Sequence, residues 1–166
     1  SFTQTPILKE TYLRVRCRVK VASGHFPAVR IAGWAGGASG AHIAQVTQRG
    51  ASGVPKAYGQ LLEVSAIVGP GLRAGVDMVW GASPDYGHFG LDLTGQNGGV
   101  IRIESLQIED VSALFMLHST NILDIRDYGA IGDGETPNYD AFTAADDAAA
   151  GRRLLVPEGQ FILKRV

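Results

Sequence analysis

The sequence predicts a mainly β chain: an antiparallel sandwich over about residues 1–117, then a shorter unit over 118–166 in which one helix lies between strands. Three observations carry this. From Thr11 to Val21 the chain alternates, with Leu13, Val15, Cys17, Val19 and Val21 apolar and Arg14, Arg16, Arg18 and Lys20 charged, the period of two of a half-buried strand. Turn clusters recur at short intervals, and 22 glycines in 166 residues suit a chain of many tight turns. Asn138 to Ala150 is rich in alanine and carries Phe142, Ala145 and Ala149 at helical spacing.

Taken in order, the further strands predicted after Thr11–Val21 are Ala28–Trp34, His42–Gln48, Tyr58–Val68, Leu72–Trp80, Phe89–Leu93 and Val100–Asp110. Ser23-Gly24-His25, Gly36 to Gly40, Gly50 to Gly53, Gly69-Pro70-Gly71, Ser83-Pro84-Asp85 and Gly95 to Gly99 separate them as turns. Seven or eight short strands so punctuated suggest a jelly-roll or immunoglobulin-like sandwich. Beyond it, Ile122, Leu123, Ile125, Tyr128 and Ile131 offer apolar contacts for a strand and the turn that follows. Gly129, Gly132 and Gly134 permit positive φ, and Asp133 can tie its side chain to nearby backbone N–H groups. Thr136-Pro137 reads as N-cap and first helical position, with Gly151 as the stop. Leu154–Val156 is a short strand, and Pro157-Glu158-Gly159 turns into Gln160–Leu163.

Composition narrows the function classes. With 45% hydrophobic and 19% charged residues the chain is that of a globular protein, and a net charge of -1 gives no electrostatic footprint for nucleic acid. No apolar run approaches the ~20 residues that span a bilayer, so no membrane insertion is expected. Cys17, the single cysteine, excludes an intramolecular disulfide. No phosphate-binding glycine loop and no paired His or Cys metal pattern occurs. No cofactor is called for, with a structural calcium ion left open.

The run Ile125-Arg126-Asp127-Tyr128-Gly129-Ala130-Ile131-Gly132-Asp133-Gly134-Glu135-Thr136, with Val156-Pro157-Glu158-Gly159 downstream, resembles the opening of a right-handed parallel β-helix of the pectate-lyase superfamily. The likeness covers roughly residues 122–163. It implies a strand, a glycine-rich turn, a capping helix and the first coil, with Gly129, Gly132, Asp133, Gly134, Pro157 and Gly159 as the structural motif. Pro137-Asn138 and Tyr139 stand where relatives often carry two acids and a Thr, a departure that concerns helix capping. In that superfamily the catalytic carboxylates sit on central coils, so none is carried over; Asp127, Asp133 and Asp140 read as structural. Asp146-Asp147, on the exposed helix face, does not make a glycosidase pair. The chain is expected to be a piece of a longer protein and inactive by itself. The parent would be a polysaccharide lyase, glycoside hydrolase or uronate epimerase, placed outside the cell, in a periplasm or on a virion. The first unit, closing on Gly99 to Asp110, is similar to the carbohydrate-binding-module-like jelly rolls found beside such domains.

Sugar recognition uses flat aromatic faces with hydrogen-bonding neighbours. Trp34, beside a glycine-rich loop, and Tyr86 and His88, after a Pro-Asp turn, are the candidates, with Phe89 and Trp80 as further aromatics, of which Trp80 closes an alternating run and reads as core. Arg14, Arg16, Arg18 and Lys20 could meet an acidic polysaccharide, since like-facing residues on a strand lie about 7 Å apart. The plainer reading is a solvated sheet face paired with acids such as Glu63 or Glu104. Cys17 reads as a small buried hydrophobe. The competing class is a phage-like tail-fibre or tailspike adaptor, or a spacer that binds nothing, with oligomerisation through the unfinished β-helix edge.

Overall fold

The computed structural model describes residues 3–8, 10–36, 42–45, 50–115 and 122–165. In chain order the first unit holds β1 (Thr3–Pro6), β2 (Leu13–Ser23), β3 (Ala28–Gly36), β4 (His42–Gln45), β5 (Leu62–Gly69), β6 (Met78–Val79), β7 (Tyr86–Thr94) and β8 (Val100–Asp110). They form two four-stranded sheets, ordered β1-β7-β3-β4 and β6-β5-β2-β8. Every pairing is antiparallel except the two-residue contact of β5 with β6. The mainly β class expected from turn density and alternation is therefore present.

Alternation decides which faces meet. On β2, Leu13, Val15, Cys17, Val19 and Val21 are buried while the intervening basic residues face solvent. On β3, Val29, Ile31 and Ala35 are buried, and Phe89 reaches the same core from β7. With Val64, Ala66, Val68, Met78 and Trp80 they fill the space between the sheets. Trp80 is 4% exposed and its ring lies 6.2 Å from that of Phe89, as the end of an alternating run should.

Two predicted strands are shorter than expected. Of Leu72–Trp80 only Met78–Val79 is strand, because Leu72 to Asp77 makes a tight turn: Val76 N–H donates to Arg73 C=O, and the Asp77 carboxylate accepts from Ile67 N–H. The predicted strand from Tyr58 begins only at Leu62, after a turn at Ala57 to Gln60. Of His42–Gln48, the part beyond Gln45 lies outside the described residues.

The second unit runs β9 (Ile122–Asp124), a 3-10 turn (Ile125–Tyr128), β10 (Asp133–Pro137), α1 (Tyr139–Ala149), β11 (Arg153–Leu155) and β12 (Gln160–Ile162). β9 pairs with β11 and β10 with β12, both in parallel. The chain thus makes two passes in the same direction, one stacked on the other, with α1 between them in sequence. The helix starts two residues later than Thr136-Pro137 predicts, since both extend β10 and Asn138 occupies the cap position. Buried Asn138 caps nothing. Its side chain accepts from Ile131 N–H and donates to Ile131 and Thr136 C=O, pinning the strand to the turn before it. Ala141 and Ala145 pack on Leu123, Ile125, Tyr128 and Ala130, Ala149 is buried as well, and Phe142 and Phe161 meet edge-to-face at 5.9 Å. Among the described residues, no helix is long and apolar enough to cross a membrane.

Candidate functional site

Trp34 has the parity opposite to Val29, Ile31 and Ala35, so it leaves the core and stands on the outer face of the first sheet, 45% exposed. Its register partner is His88 on β7, and the same row continues to Gln4 on β1 and Gln45 on β4. Tyr86 is buried and sets its ring edge-on to His88 at 5.2 Å. It supports His88 rather than offering a free face. Trp34 and His88 are brought together; Tyr86, two residues from His88 along β7, is buried.

The basic stripe lies elsewhere. Arg14, Arg16, Arg18 and Lys20 face outward from the second sheet, and each meets a glutamate: Arg14 with Glu109 (3.7 Å), Arg16 with Glu63 (3.6 Å) and Glu109 (3.9 Å), Arg18 with Glu63 (3.3 Å), Lys20 with Glu104 (3.3 Å). The acids come from β5 and β8, which flank β2 on both sides. The sandwich core separates this face from Trp34. One ligand segment therefore cannot lie across both the aromatic and the stripe.

The glycine-rich turn holds itself. One Asp133 oxygen accepts from the N–H groups of Glu135 (2.9 Å) and Thr136 (2.7 Å), and the other from the Thr136 hydroxyl (2.6 Å). The Thr136 bonds hold its carboxyl below the usual range. Gly129 and Gly134 adopt φ of +96° and +78°. Gly132 has another reason to lack a side chain: a Cβ there would come within 2.8 Å of the Phe161 ring and 3.2 Å of Gly159. The stacked passes touch at these two glycines. Pro157 sits in the turn from β11 to β12.

The densest polar chemistry is buried where the two units meet. Tyr12, just ahead of β2, donates its hydroxyl to the Asp127 carboxylate. Arg73, from the turn before β6, pairs with Asp127 and lies 3.7 Å from Asp124. Arg126 binds Asp124 through its Nε and backbone N–H, both 2.9 Å. Glu10 accepts from the Tyr128 hydroxyl, and its N–H donates to Asp127 C=O. Burial pushes the Asp127 carboxyl up, against the lowering pull of Tyr12 and Arg73. Burial acts the same way on Asp124, but there the Arg126 bonds and the Arg73 charge outweigh it and the carboxyl is held low. Burial and the Asp127 carboxylate raise the Tyr12 hydroxyl, and burial and Glu10 that of Tyr128. The backbone approach is equally close: a Cβ on Gly71 would meet Arg126 C=O at 2.4 Å, and one on Gly129 would meet Ala82 N at 2.5 Å.

Asp127, read from the sequence as structural, is held by three groups from two segments: Glu10 and Tyr12 from one and Arg73 from the other. Arg73 was missed altogether: a lone Arg in a turn carries no periodic signal, and its partners lie 51 and 54 residues on. Among the described residues, no three His, Cys, Asp or Glu side chains gather as a metal would require. Neither a family model nor a curated protein matches this chain, and no solved structure matches it.

Proposed function

We propose that this chain is the non-catalytic, polysaccharide-holding region that precedes and caps a right-handed parallel β-helix of the pectate-lyase type. The exposed Trp34 beside His88, on a sheet face where the next register pair along is the small Ala32 and Gly90, is the observation that carries the binding reading. For the coil, support comes from the two parallel pairs stacked in the same order, with the self-bonded Asp133 turn and α1 between the passes. For the jelly roll, it comes from the long pairs β2–β8 and β3–β7, which join strands distant in sequence on opposite sheets, as a wound hairpin does.

The two tryptophans make the test direct, because Trp34 is exposed and Trp80 buried. Titration with pectate, alginate and neutral glucans should shift the emission of Trp34, and Trp34→Phe should remove the shift while leaving the Trp80 signal. Absence of any shift or heat with all three polymers would overturn the binding reading.

The adaptor reading has an observation of its own. β8 is an edge strand of 11 residues whose Val100, Ile103 and Leu106 are exposed, and with Cys17, Leu91, Leu93 and Ile101 it borders an apolar cleft of about 210 Å³. Such an edge invites pairing. A stable trimer in sedimentation, without glycan binding, would favour that reading.

A further inference from the structure

A second aromatic surface lies at the other end of β3, where neither the Trp34 row nor the basic stripe reaches. Phe26 and Tyr58 come from separate loops and stack with ring centroids 4.8 Å apart and planes 24° apart. Both are exposed, Tyr58 at 58%. The Tyr58 hydroxyl donates to Gly24 C=O at 2.7 Å, so the ring is held at both its face and its tip. The Gly24 loop in turn packs backbone to backbone on the turn after β7: a Cβ on Gly24 would fall 1.8 Å from Gly98 C=O, and one on Gly99 2.4 Å from His25 C=O.

That turn encloses a polar hollow of about 140 Å³ bordered by Pro27, Thr94, Gln96, Asn97 and the backbone of Gly95, Gly98 and Gly99. None of its lining residues is charged. Pro27 follows Phe26 directly, and the Gly24 loop that the Tyr58 hydroxyl binds packs on Gly98, so the hollow begins one residue from the stacked pair. The amides of Gln96 and Asn97 each supply two donors and an acceptor, the pattern that neighbouring sugar hydroxyls satisfy. A fixed aromatic plane costs little ordering on binding.

We propose that this rim is a binding site for a neutral pyranose unit, which stacks on Tyr58 and hydrogen-bonds Gln96 and Asn97. It does not depend on the Trp34 reading, since its residues, loops and face are different. An uncharged rim takes an uncharged sugar, in contrast to the ion-paired stripe on the second sheet.

The test uses the whole chain, labelled with 15N and titrated separately with cellohexaose, mannohexaose and laminarihexaose. At least one should shift the Gln96 and Asn97 side-chain amide signals and the backbone signals of residues 24–27 and 95–99. Those shifts should persist in Trp34→Ala and in 0.5 M NaCl. Tyr58→Ala should weaken binding about tenfold, the scale of a lost ring contact. Tyr58→Phe keeps the ring and loses only the tether to Gly24, so it should retain most of the affinity and serves as the folded control. Loss of the shifts in Trp34→Ala would assign binding to the Trp34 face instead and overturn the proposal. So would an unchanged affinity in Tyr58→Ala, or no shifts at this rim with any of the three sugars.

Discussion

Replacing Arg73 by Met should destabilise the whole chain, and the structure sets the scale. Arg73 is the cation shared by Asp124 and Asp127, whose side chains are 1% and 11% exposed. Taking one partner from a buried ion pair costs about 3–5 kcal/mol, because a desolvated charge is left behind. Here Asp124 keeps Arg126 and Asp127 keeps the Tyr12 hydroxyl, which argues for the lower end, about 3 kcal/mol. For a chain of this size each kcal/mol moves Tm by about 2–4 °C, so a fall of about 6–12 °C is expected by circular dichroism. The cycle with Asp127→Asn separates charge from packing. Asn in the Arg73→Met background removes the stranded carboxylate and should recover part of the loss. A Tm within about 2 °C of the parent for Arg73→Met, or no recovery in the double variant, would show that the network is not the joint between the two units.

Acid titration tests the same groups with opposite signs. Asp124 and Asp133 have folded pKa values below their unfolded ones, so their stabilisation is present above about pH 4 and is lost as pH falls through the folded values. Asp127, raised by burial, acts the other way: its contribution is full at low pH and is lost as pH rises through its folded value. Asp127→Asn should therefore steepen the acid limb in urea unfolding between pH 3 and 6; an unchanged slope would contradict the assignment. Gly129→Ala combines φ of +96° with a Cβ 2.5 Å from Ala82 N and should cost more than the about 1–3 kcal/mol of backbone strain alone, whereas Gly59→Ala, at +72° with open space around it, should cost about 1–2 kcal/mol; equal Tm values for the two would show that the close approach is not tight. Asn138→Ala leaves Ile131 N–H and two carbonyls without their partner and should cost at least about 2 kcal/mol by urea midpoint. Incubated with pectate or alginate, the chain should release no unsaturated product; turnover lost in Asp133→Ala would mean that the turn does chemistry.

What could be read from the residues was whatever repeats along the chain. The strict alternation of Leu13 to Val21 made β2 and its buried face legible, and Val100–Asp110 was delimited as observed. The Asp133 turn was legible because its bonds span only two or three residues. Leu72–Trp80 misled because apolar spacing alone does not reveal that Asp77 folds back on Ile67 N–H. The Thr136-Pro137 cap reading failed similarly, since both residues extend a strand whose partner lies more than twenty residues on. Faces relative to each other were out of reach: nothing local says that Trp34 and Arg16 point to opposite sides of one core. The Tyr12–Arg73–Asp127 cluster joins positions up to 115 residues apart, and each member alone is an ordinary surface residue type. The Phe26–Tyr58 stack was hidden for the same reason.

The joint around Arg73 has a mechanical meaning. A linker of glycine and serine would let a sandwich wander over a wide cone. Here Glu10, Tyr12, Gly71, Arg73 and Ala82 grip one short turn, residues 124–130, from several directions, which resists rotation as well as separation. The sandwich is therefore aimed rather than tethered. Its faces keep one angle to the stacked strands below, and torque applied at one end reaches the other without slack.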